Sequence, residues 1–318
     1  MSQPTLRQLG LLVAVADTKR FTLAAERAHI SQPALSEQIA QLEHNLGTKL
    51  FERGRHGAAL TPLGEEIVSR ARPILAQIQE LEDVVRAAEK NLGGLIRLGT
   101  LPTLGPYLLP GVIPKLHAAY PELRLYVREL RTVDLEARLR QGAFDVLLST
   151  RPDDMDGLAS ELLFEERLLL GLASDHRLAK KKTIGIADLS AEKVLTLESG
   201  HYLSERARGL AREAHAQLLI DYEGTSLDGL RQMVGLGMGV SLFPALYVYA
   251  EMLSDEAVAV RDIQIQRAAR GIELIWRKSS PRGEDFRRLA KVLRACGHAL
   301  LSALSSNSKR QAKRARRK

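Results

Sequence analysis

The chain has 318 residues, of which 45% are hydrophobic, and this length and composition suit two or three domains with substantial apolar cores. We find no run of about 18 apolar residues and no charged leader before an apolar stretch, so the sequence indicates neither a membrane span nor a secretory signal. Cys296 is the only cysteine, which excludes an intrachain disulfide framework and CxxC metal chemistry and favours a cytoplasmic location.

The net charge of +8 is concentrated at the C-terminus. Residues 305–318 hold seven Lys or Arg and no acid, so nearly all of the net charge lies in this tail. We predict that the tail is disordered, because it has too few apolar groups to offset its ordering entropy. Such a tail either attracts phosphates without sequence preference or keeps the chain solvated, and its composition does not choose between the two.

The first 50 residues have the pattern of short helices joined by tight turns. We predict a first helix over residues 4–17, a second over Leu23–His29 capped by Thr22, and a third that begins after the cap Ser31. The apolar residues of the third helix recur at steps of four, three and four, at Leu35, Ile39, Leu42 and Leu46. A helix that is buried on this side and carries small and amide side chains on the other suits the major groove of DNA. Two ordinary amphipathic surface helices would give the same pattern.

Residues 49–60 contain short β-prone pieces around glycines and the basic pair Arg53 and Arg55. This pattern favours a β-wing along the phosphate backbone, with an ordinary surface hairpin as the alternative. Thr61 then caps a long helix that begins at Pro62. Its apolar residues recur at an average spacing of 3.5 as far as residue 88, which is the pattern of a coiled-coil seam between two chains. A lone helix packed on its own domain is the alternative.

From residue 95 onwards, short strands alternate with helices, which predicts parallel α/β sheets. A late strand at 271–278 and a helix at 283–304 most simply return to the first of two such sheets. The fold class is therefore α+β multidomain: a winged helix-turn-helix, a long linker helix and two α/β subdomains of the periplasmic-binding-protein-like type. The predicted boundaries are 1–60 for the DNA-binding domain, 61–92 for the linker helix, 93–304 for the regulatory domain and 305–318 for the tail. Within the regulatory domain, subdomain I comprises 93–165 and 270–304, and subdomain II comprises 166–269.

Three turns between a strand and a helix have polar residues suited to a cleft between the subdomains. They lie at 99–110, 197–207 and 224–230. Free N–H groups at helix starts and neighbouring hydroxyls can bind anions or carbonyl oxygens, although such hydroxyls are often plain helix caps. The candidate effector-binding residues in these turns are Thr100, Pro102, Thr103, His201, Tyr202, Thr225 and Ser226. His201 either binds an acidic ligand when protonated, responds to pH, or only shapes its loop.

The sequence of residues 6–65 resembles the winged helix-turn-helix of LysR-type transcriptional regulators. The likeness is carried by residues 6–11 and 21–28, SQPALSEQIAQLEHNLG at 31–47, LFER at 50–53 and LTPLGE at 60–65. This resemblance implies DNA contacts by Ser31, Gln32, Pro33, Ser36 and Gln38. Thr22 and the basic pair Arg53 and Arg55 complete the predicted DNA-binding residues. Glu37 and Ala40 depart from the pattern of many relatives, which leaves the preferred base sequence open.

The regulatory half is most similar to the peroxide-sensing OxyR branch of this family, on GTLPTLGPYLLPGVIP, LESGHYLSERARGLA and GTSLDGLRQMVGLGMGVSLFPA. In that branch the position after the Gly-His pair holds a peroxide-reactive cysteine, and a second cysteine follows nine residues later. Tyr202 and Ala211 occupy these positions here, and neither can form a sulfenic acid or a disulfide. The resemblance carries over Thr103, Thr132 and His201 as residues that line the pocket.

These features predict a transcription regulator that senses a small effector in the cleft and alters its promoter binding. The alternative within the family is an oxidant response through another residue, such as Cys296 or a methionine. A solute-binding protein is disfavoured by the DNA-binding module. An enzyme is disfavoured because we find no metal-spaced cluster, no GxSxG and no P-loop, and GLGMG at 235–239 is an incomplete dinucleotide motif. We expect no cofactor, and we expect as partners dyad-symmetric promoter DNA, an unknown small-molecule effector, further copies of the chain in a dimer or tetramer, and RNA polymerase.

Overall fold

The structure is a computed structural model, and it describes residues 3–54, 57–87, 92–224, 226–265 and 268–315. The chain divides into two compact units, one of residues 1–88 with 140–143 and the other of the remaining residues. In the described ranges, none of the helices is long and apolar enough to cross a membrane.

The first unit contains three short helices, a β-hairpin and one long helix. These elements are α1 (Leu6–Thr18), α2 (Phe21–Arg27), α3 (Gln32–Leu46), β1 (Phe51–Gly54), β2 (Gly57–Leu60) and α4 (Pro62–Ala87). The predicted apolar stripe of α3 is buried against Leu12 and Val15 of α1. The antiparallel pair β1–β2 forms the predicted hairpin. Thr61 caps α4 by accepting a hydrogen bond from the N–H of Gly64 at 3.0 Å.

The prediction that Thr22 caps α2 is wrong. The helix begins at Phe21, and the extended residue before it, Arg20, is the N-cap without a side-chain hydrogen bond. Phe21 packs edge-on against Phe51 of the hairpin, with ring centroids 5.6 Å apart. This contact keeps Phe21 in the helix, and Thr22 lies exposed within the first turn.

The second unit begins with a parallel arrangement of strands and helices. It contains β3 (Gly94–Thr100), α5 (Gly105–Ala119), β4 (Leu123–Glu129), α6 (Thr132–Arg140) and β5 (Val146–Thr150). The central strand β3 pairs in parallel with β4 on one side and β5 on the other. The next strand, β6 (Leu158–Ala173), is 16 residues long, and only its second half was predicted.

The chain then builds a second group of elements. They are β7 (Thr183–Gly185), β8 (Lys193–Leu197), α7 (Tyr202–Glu213), β9 (Gln217–Gly224), α8 (Leu227–Gly235), β10 (Ser241–Pro244), α9 (Ala245–Tyr247) and β11 (Val258–Gln264). Strands β8 and β9 are parallel, whereas β10 and β11 are antiparallel to the second half of β6.

The chain returns through β12 (Ala269–Arg277), which is antiparallel to both β5 and β6, and ends in α10 (Gly283–Ala315). The sheet is therefore mixed: the predicted parallel pairing is found among β3, β4 and β5, whereas β12 is antiparallel to β5 and β6, since β6 and β12 carry the chain between the two halves. The last helix also continues past residue 304, so residues 305–315 are helical rather than disordered. Lys, Arg, Ala and Gln in this segment are good helix formers.

The second unit has two apolar cores, and each of them includes one half of β6. The first is built from β3–β5, the first half of β6, β12 and α10, and the second from residues between Leu168 and Ile263. Tyr107 of α5 packs against both cores, and its ring meets that of Tyr247 at a centroid distance of 5.4 Å.

Candidate functional site

The outward face of α3 presents the residues predicted to contact DNA. Ser31 caps the helix by accepting a hydrogen bond from the N–H of Ala34 at 3.3 Å. The amide of exposed Gln32 donates to the hydroxyl of Ser36 at 3.3 Å, which places two hydrogen-bonding side chains on one face. Pro33 beside them is exposed, and Gln38 is half-buried. Amide and hydroxyl groups on an exposed helix face can pair with base edges and phosphates.

The sequence of α3 contains no Lys or Arg, so cationic contacts to phosphates must come from neighbouring elements. Its one exposed carboxylate is Glu37, which repels phosphates but can accept a hydrogen bond from a cytosine amine. Arg53 lies on β1, whereas Arg55 lies outside the described residues. The structure therefore places the backbone of only one of the two predicted wing cations.

Glu43 is a structural residue that the sequence patterns did not single out. Its carboxylate accepts hydrogen bonds from the backbone N–H groups of Leu50 at 2.9 Å and Phe51 at 3.3 Å, and it pairs with Lys49 at 2.8 Å. Burial opposes ionisation, but these hydrogen bonds and the charge of Lys49 outweigh it, and the pKa of Glu43 is lowered from its usual 4.5. The carboxylate thus ties the start of the hairpin to α3.

We expect Glu43→Gln to destabilise the DNA-binding unit by about 1–3 kcal/mol, because the amide lacks the negative charge that strengthens the two buried N–H hydrogen bonds and pairs with Lys49. Because the folded pKa is lowered, the stabilisation by Glu43 is present above the usual pKa of 4.5 and is lost as the pH falls through the folded value. Thermal unfolding of wild type and variant between pH 3 and 7 measures both effects. A constant difference in stability across this range would contradict this role of Glu43.

In the second unit, the start of α7 meets the start of α6. The N–H of Tyr202 donates to the hydroxyl of Thr132 at 3.2 Å, and the guanidinium of Arg131 donates to the carbonyl of Ser199 at 3.5 Å. Three candidate residues, Thr132, His201 and Tyr202, therefore lie together at a contact between the two halves.

His201 is buried, with 5% of its surface exposed, and its Nε2 lies 3.6 Å from Oε1 of Glu198. Burial lowers the pKa of the imidazole, and the nearby carboxylate of Glu198 offsets this effect only in part. The ring is therefore neutral at neutral pH, which disfavours the interpretation of His201 as a cation that binds acidic ligands. A neutral ring can both donate and accept a hydrogen bond.

Thr103 belongs to a buried cluster that sequence reasoning missed. Its hydroxyl and carbonyl oxygens accept hydrogen bonds from Arg270 at 2.8 and 2.9 Å. The same guanidinium pairs with Glu166 at 2.8 Å, both side chains are fully buried, and the second carboxylate oxygen accepts from the N–H of Leu246 at 2.9 Å. Arg270 and Glu166 lie on the two strands that link the halves. Each strand contains several charged residues, so the sequence pattern did not single out Glu166 or Arg270.

The candidate Thr100 does not offer a hydroxyl to the cleft. Its side chain is fully buried, and the hydroxyl donates to the carbonyl of Leu148 on β5 at 3.1 Å. The hydroxyl therefore joins two strands, and α5 begins tightly against it, since a Cβ on Gly105 would lie 2.6 Å from Thr100 Cγ2. Pro102 beside it is half-buried.

The structure describes only part of the third candidate turn, at 224–230. Ser226 caps α8 by accepting a hydrogen bond from the N–H of Gly229 at 3.2 Å, and Thr225 lies outside the described residues. Ser226 therefore has the ordinary capping role. In the described ranges, no group of three or more His, Cys, Asp or Glu side chains is arranged to hold a metal ion.

Tyr202 and Ala211, which occupy the two cysteine positions of the OxyR branch, lie on a different helix from Cys296. Tyr202 begins α7, and Ala211 is buried in its last turn. Cys296 is buried in the first core on α10, among apolar neighbours. Burial among apolar side chains limits the access of an oxidant to this thiol.

A helix-turn-helix with a wing, a long helix and an α/β unit with a cleft together define a DNA-binding transcription regulator. Residues 6–65 match the bacterial regulatory helix-turn-helix model of the lysR family, and residues 89–296 match the LysR substrate binding domain. The chain belongs to the LysR family of transcription regulators, which are not enzymes.

Several relatives are OxyR proteins. The Escherichia coli K12 DNA-binding transcriptional dual regulator OxyR is 37% identical over 91% of this chain and 95% of its own. The regulator EstR of Acinetobacter baylyi is 32% identical over 92% and 96%. Among solved structures, full-length Pseudomonas aeruginosa OxyR with a cysteine-to-aspartate change has a TM-score of 0.72 at 32% identity, covering 93% of this chain and 96% of that one. A peroxide-bound Corynebacterium glutamicum OxyR mutant has a TM-score of 0.66 at 29% identity, covering 96% of each chain.

Proposed function

We propose that this LysR-family regulator senses a small effector in the cleft between its two α/β subdomains and alters promoter binding in response. The observation that supports this most is the hydrogen bond from the Tyr202 N–H to Thr132, because a ligand that reaches it acts on both subdomains at once. The effector-binding residues we propose are Thr103, Thr132, His201 and Tyr202, with Pro102 at the rim. Thr100 and Ser226 have structural roles by their contacts and support the site indirectly.

The mechanism we propose is a shift between two arrangements of the subdomains. An effector changes the balance only if it binds one arrangement better than the other. Replacement of a contact such as Tyr202–Thr132 by contacts to the ligand provides such a difference. No covalent chemistry is needed, which agrees with the tyrosine at the position of the reactive cysteine.

The proposed partners follow from the DNA-binding unit. Ser31, Gln32, Pro33, Ser36 and Gln38 face a dyad-symmetric promoter site, and Thr22, Arg53 and Arg55 are proposed to contact its backbone. Pairing through α4 into a dimer, and of dimers into a tetramer, places two such faces on two half-sites. We also propose that the regulator meets RNA polymerase at the same promoter and that it is cytoplasmic. The domain boundaries we propose are those predicted from the sequence.

A thermal-shift screen of the full-length chain against a metabolite panel tests for the effector. A compound that prefers the folded state raises the melting temperature, by an amount that grows with its concentration. We expect the shift to shrink in Thr132→Val, which removes the hydroxyl at the contact between the subdomains. A compound whose shift is equal in both proteins does not bind at the proposed site, and a panel without any binder would count against the proposal.

The second candidate is an oxidant response, favoured by relatives that are named hydrogen peroxide-inducible genes activators. Here it would require a non-standard residue, and Cys296 is the available thiol. If this candidate is right, peroxide changes the DNA footprint of the wild type and not that of Cys296→Ser. An unchanged wild-type footprint removes this alternative.

We propose that the basic tail adds sequence-independent attraction to DNA. The tail holds seven cations, of which four lie in the described part of α10, and each cation that contacts a phosphate steepens the dependence of log Kobs on log salt by about 0.9. Deletion of residues 305–318 is therefore expected to flatten this slope for specific and random DNA alike. Fluorescence anisotropy at several salt concentrations measures it, and an equal slope for both proteins would leave the tail a solvating role.

A further inference from the structure

The second subdomain has a surface cavity of about 550 Å³ beside the C-terminal half of α7. This volume lies within the range of about 300–1,000 Å³ that is typical of small-molecule sites. It is lined by Glu205, Arg208, Ala211, Arg212, His215, Ala216 and Leu218. None of these residues is among the candidates for the effector cleft, so the cavity is a separate site.

The cavity has a cationic wall and an apolar floor. Arg208, Arg212 and His215 follow one another at steps of four and three, so they lie along one side of α7 and its end. Ala216 and Leu218 are half-buried and pack against the second core, and Ala211 is buried. Glu205 is the single carboxylate of the lining, so cationic groups outnumber it.

The guanidinium groups of Arg208 and Arg212 differ in their hydrogen-bond partners. Arg208 is held by the hydroxyls of Ser199 at 3.2 Å and Ser204 at 3.4 Å, which fixes it at the cavity wall. Within the described residues, the guanidinium of Arg212 has no hydrogen-bond or ion-pair partner, and the residue is exposed. A positioned guanidinium beside one that lacks a partner is suited to bind a carboxylate through charge-assisted hydrogen bonds.

His215 occupies a backbone position that favours glycine. It follows α7 with a φ of 53°, in the left-handed region, and the N–H of Ala216 closes the helix end on the carbonyl of Ala211 at 2.9 Å. An L-residue in this conformation is strained, and such strain tends to cluster at ligand-binding and active sites. The imidazole at this position adds a third polar group to the cationic wall.

We infer that this cavity binds a small organic carboxylate whose short apolar body lies on Ala216 and Leu218 and whose carboxylate meets Arg212, Arg208 and His215. The apolar floor distinguishes such a ligand from an inorganic anion. Because Arg208 also holds Ser199 in the loop before Tyr202, an occupied cavity is connected to the start of α7.

The test is isothermal titration of the full-length protein with hexanoate, with hexanamide and sulfate as matched probes. Hexanoate is expected to bind saturably, and the neutral amide and the inorganic anion much more weakly. Arg212→Gln is expected to weaken hexanoate by about tenfold or more, as the loss of a charge-assisted hydrogen bond predicts. Arg124→Gln, which removes an exposed arginine on β4, is expected to bind like the wild type.

His215→Gly keeps the test independent of folding, since glycine accepts the left-handed conformation better than histidine does. This variant is expected to melt no lower than the wild type and to bind hexanoate several-fold more weakly. The inference is overturned by absence of saturable hexanoate binding, by equal binding of hexanamide or sulfate, or by unchanged binding in Arg212→Gln. Such a result would leave the proposed effector cleft standing, because neither Arg212 nor His215 lines it.

Discussion

Arg270→Met is expected to destabilise the regulatory unit by about 3–5 kcal/mol, because it leaves the carboxylate of Glu166 buried without its partner. Both side chains are fully buried and paired at 2.8 Å. The substitution also removes both guanidinium hydrogen bonds to Thr103. Chemical denaturation of the full-length protein, followed by a probe of the regulatory unit, measures the loss.

The double variant Arg270→Met with Glu166→Leu is the matched control. It removes the charge that the single variant leaves unpaired, so much of the lost stability is expected to return, as is often found when a buried pair is replaced by apolar residues. A single variant as stable as the wild type would show that the buried pair does not hold the crossover strands. A double variant no more stable than the single one would show that the loss comes from packing.

Ile78→Asp on α4 is expected to dissociate the proposed dimer and to weaken promoter binding by about two orders of magnitude. Ile74, Ile78 and Leu81 are exposed on this helix at steps of four and three, with Leu81 at 66%. An exposed apolar stripe with this spacing indicates a missing partner helix. Two half-sites bound by one dimer gain affinity through effective concentration, and a monomer loses that gain.

Gln77→Asp provides the control, since Gln77 is exposed on the same turn but outside the stripe. Sedimentation of both variants, together with a gel-shift titration on promoter DNA, separates the effect of charge from that of the stripe. If Ile78→Asp remains a dimer, α4 does not carry the interface. If Gln77→Asp dissociates equally, the effect reports added charge rather than the stripe.

Local chemistry predicted the helix-turn-helix well. Ser31 and Thr61 cap their helices as expected, and the stripe of α3 is buried, because caps and apolar spacing act within one or two turns. Thr22 failed as a cap because a contact across the fold, Phe21 with Phe51, sets the start of α2. The first half of β6 was missed because its apolar and charged residues do not alternate cleanly.

The site itself depended on contacts between residues far apart in the chain. Thr132 meets Tyr202, and Arg270 meets both Glu166 and Thr103, although no local pattern links these positions. Thr100 shows the converse, since its place before a helix suggested an open hydroxyl, while the neighbouring strand uses that hydroxyl. Sequence spacing therefore located turns between strands and helices, but not which of their side chains are already hydrogen-bonded within the fold.

We propose that this regulator binds a dyad-symmetric promoter and that an effector in the cleft, rather than a thiol, changes that binding. The direct measurement is a footprint of the full-length protein on DNA upstream of its own gene, alone, with peroxide, and with the compound selected by thermal shift. We predict that the protein protects two half-sites. The compound changes the extent of the protected DNA with the wild type but not with Thr132→Val, and peroxide does not change it. Absence of protection at moderate salt, or a change with peroxide alone, would contradict the account.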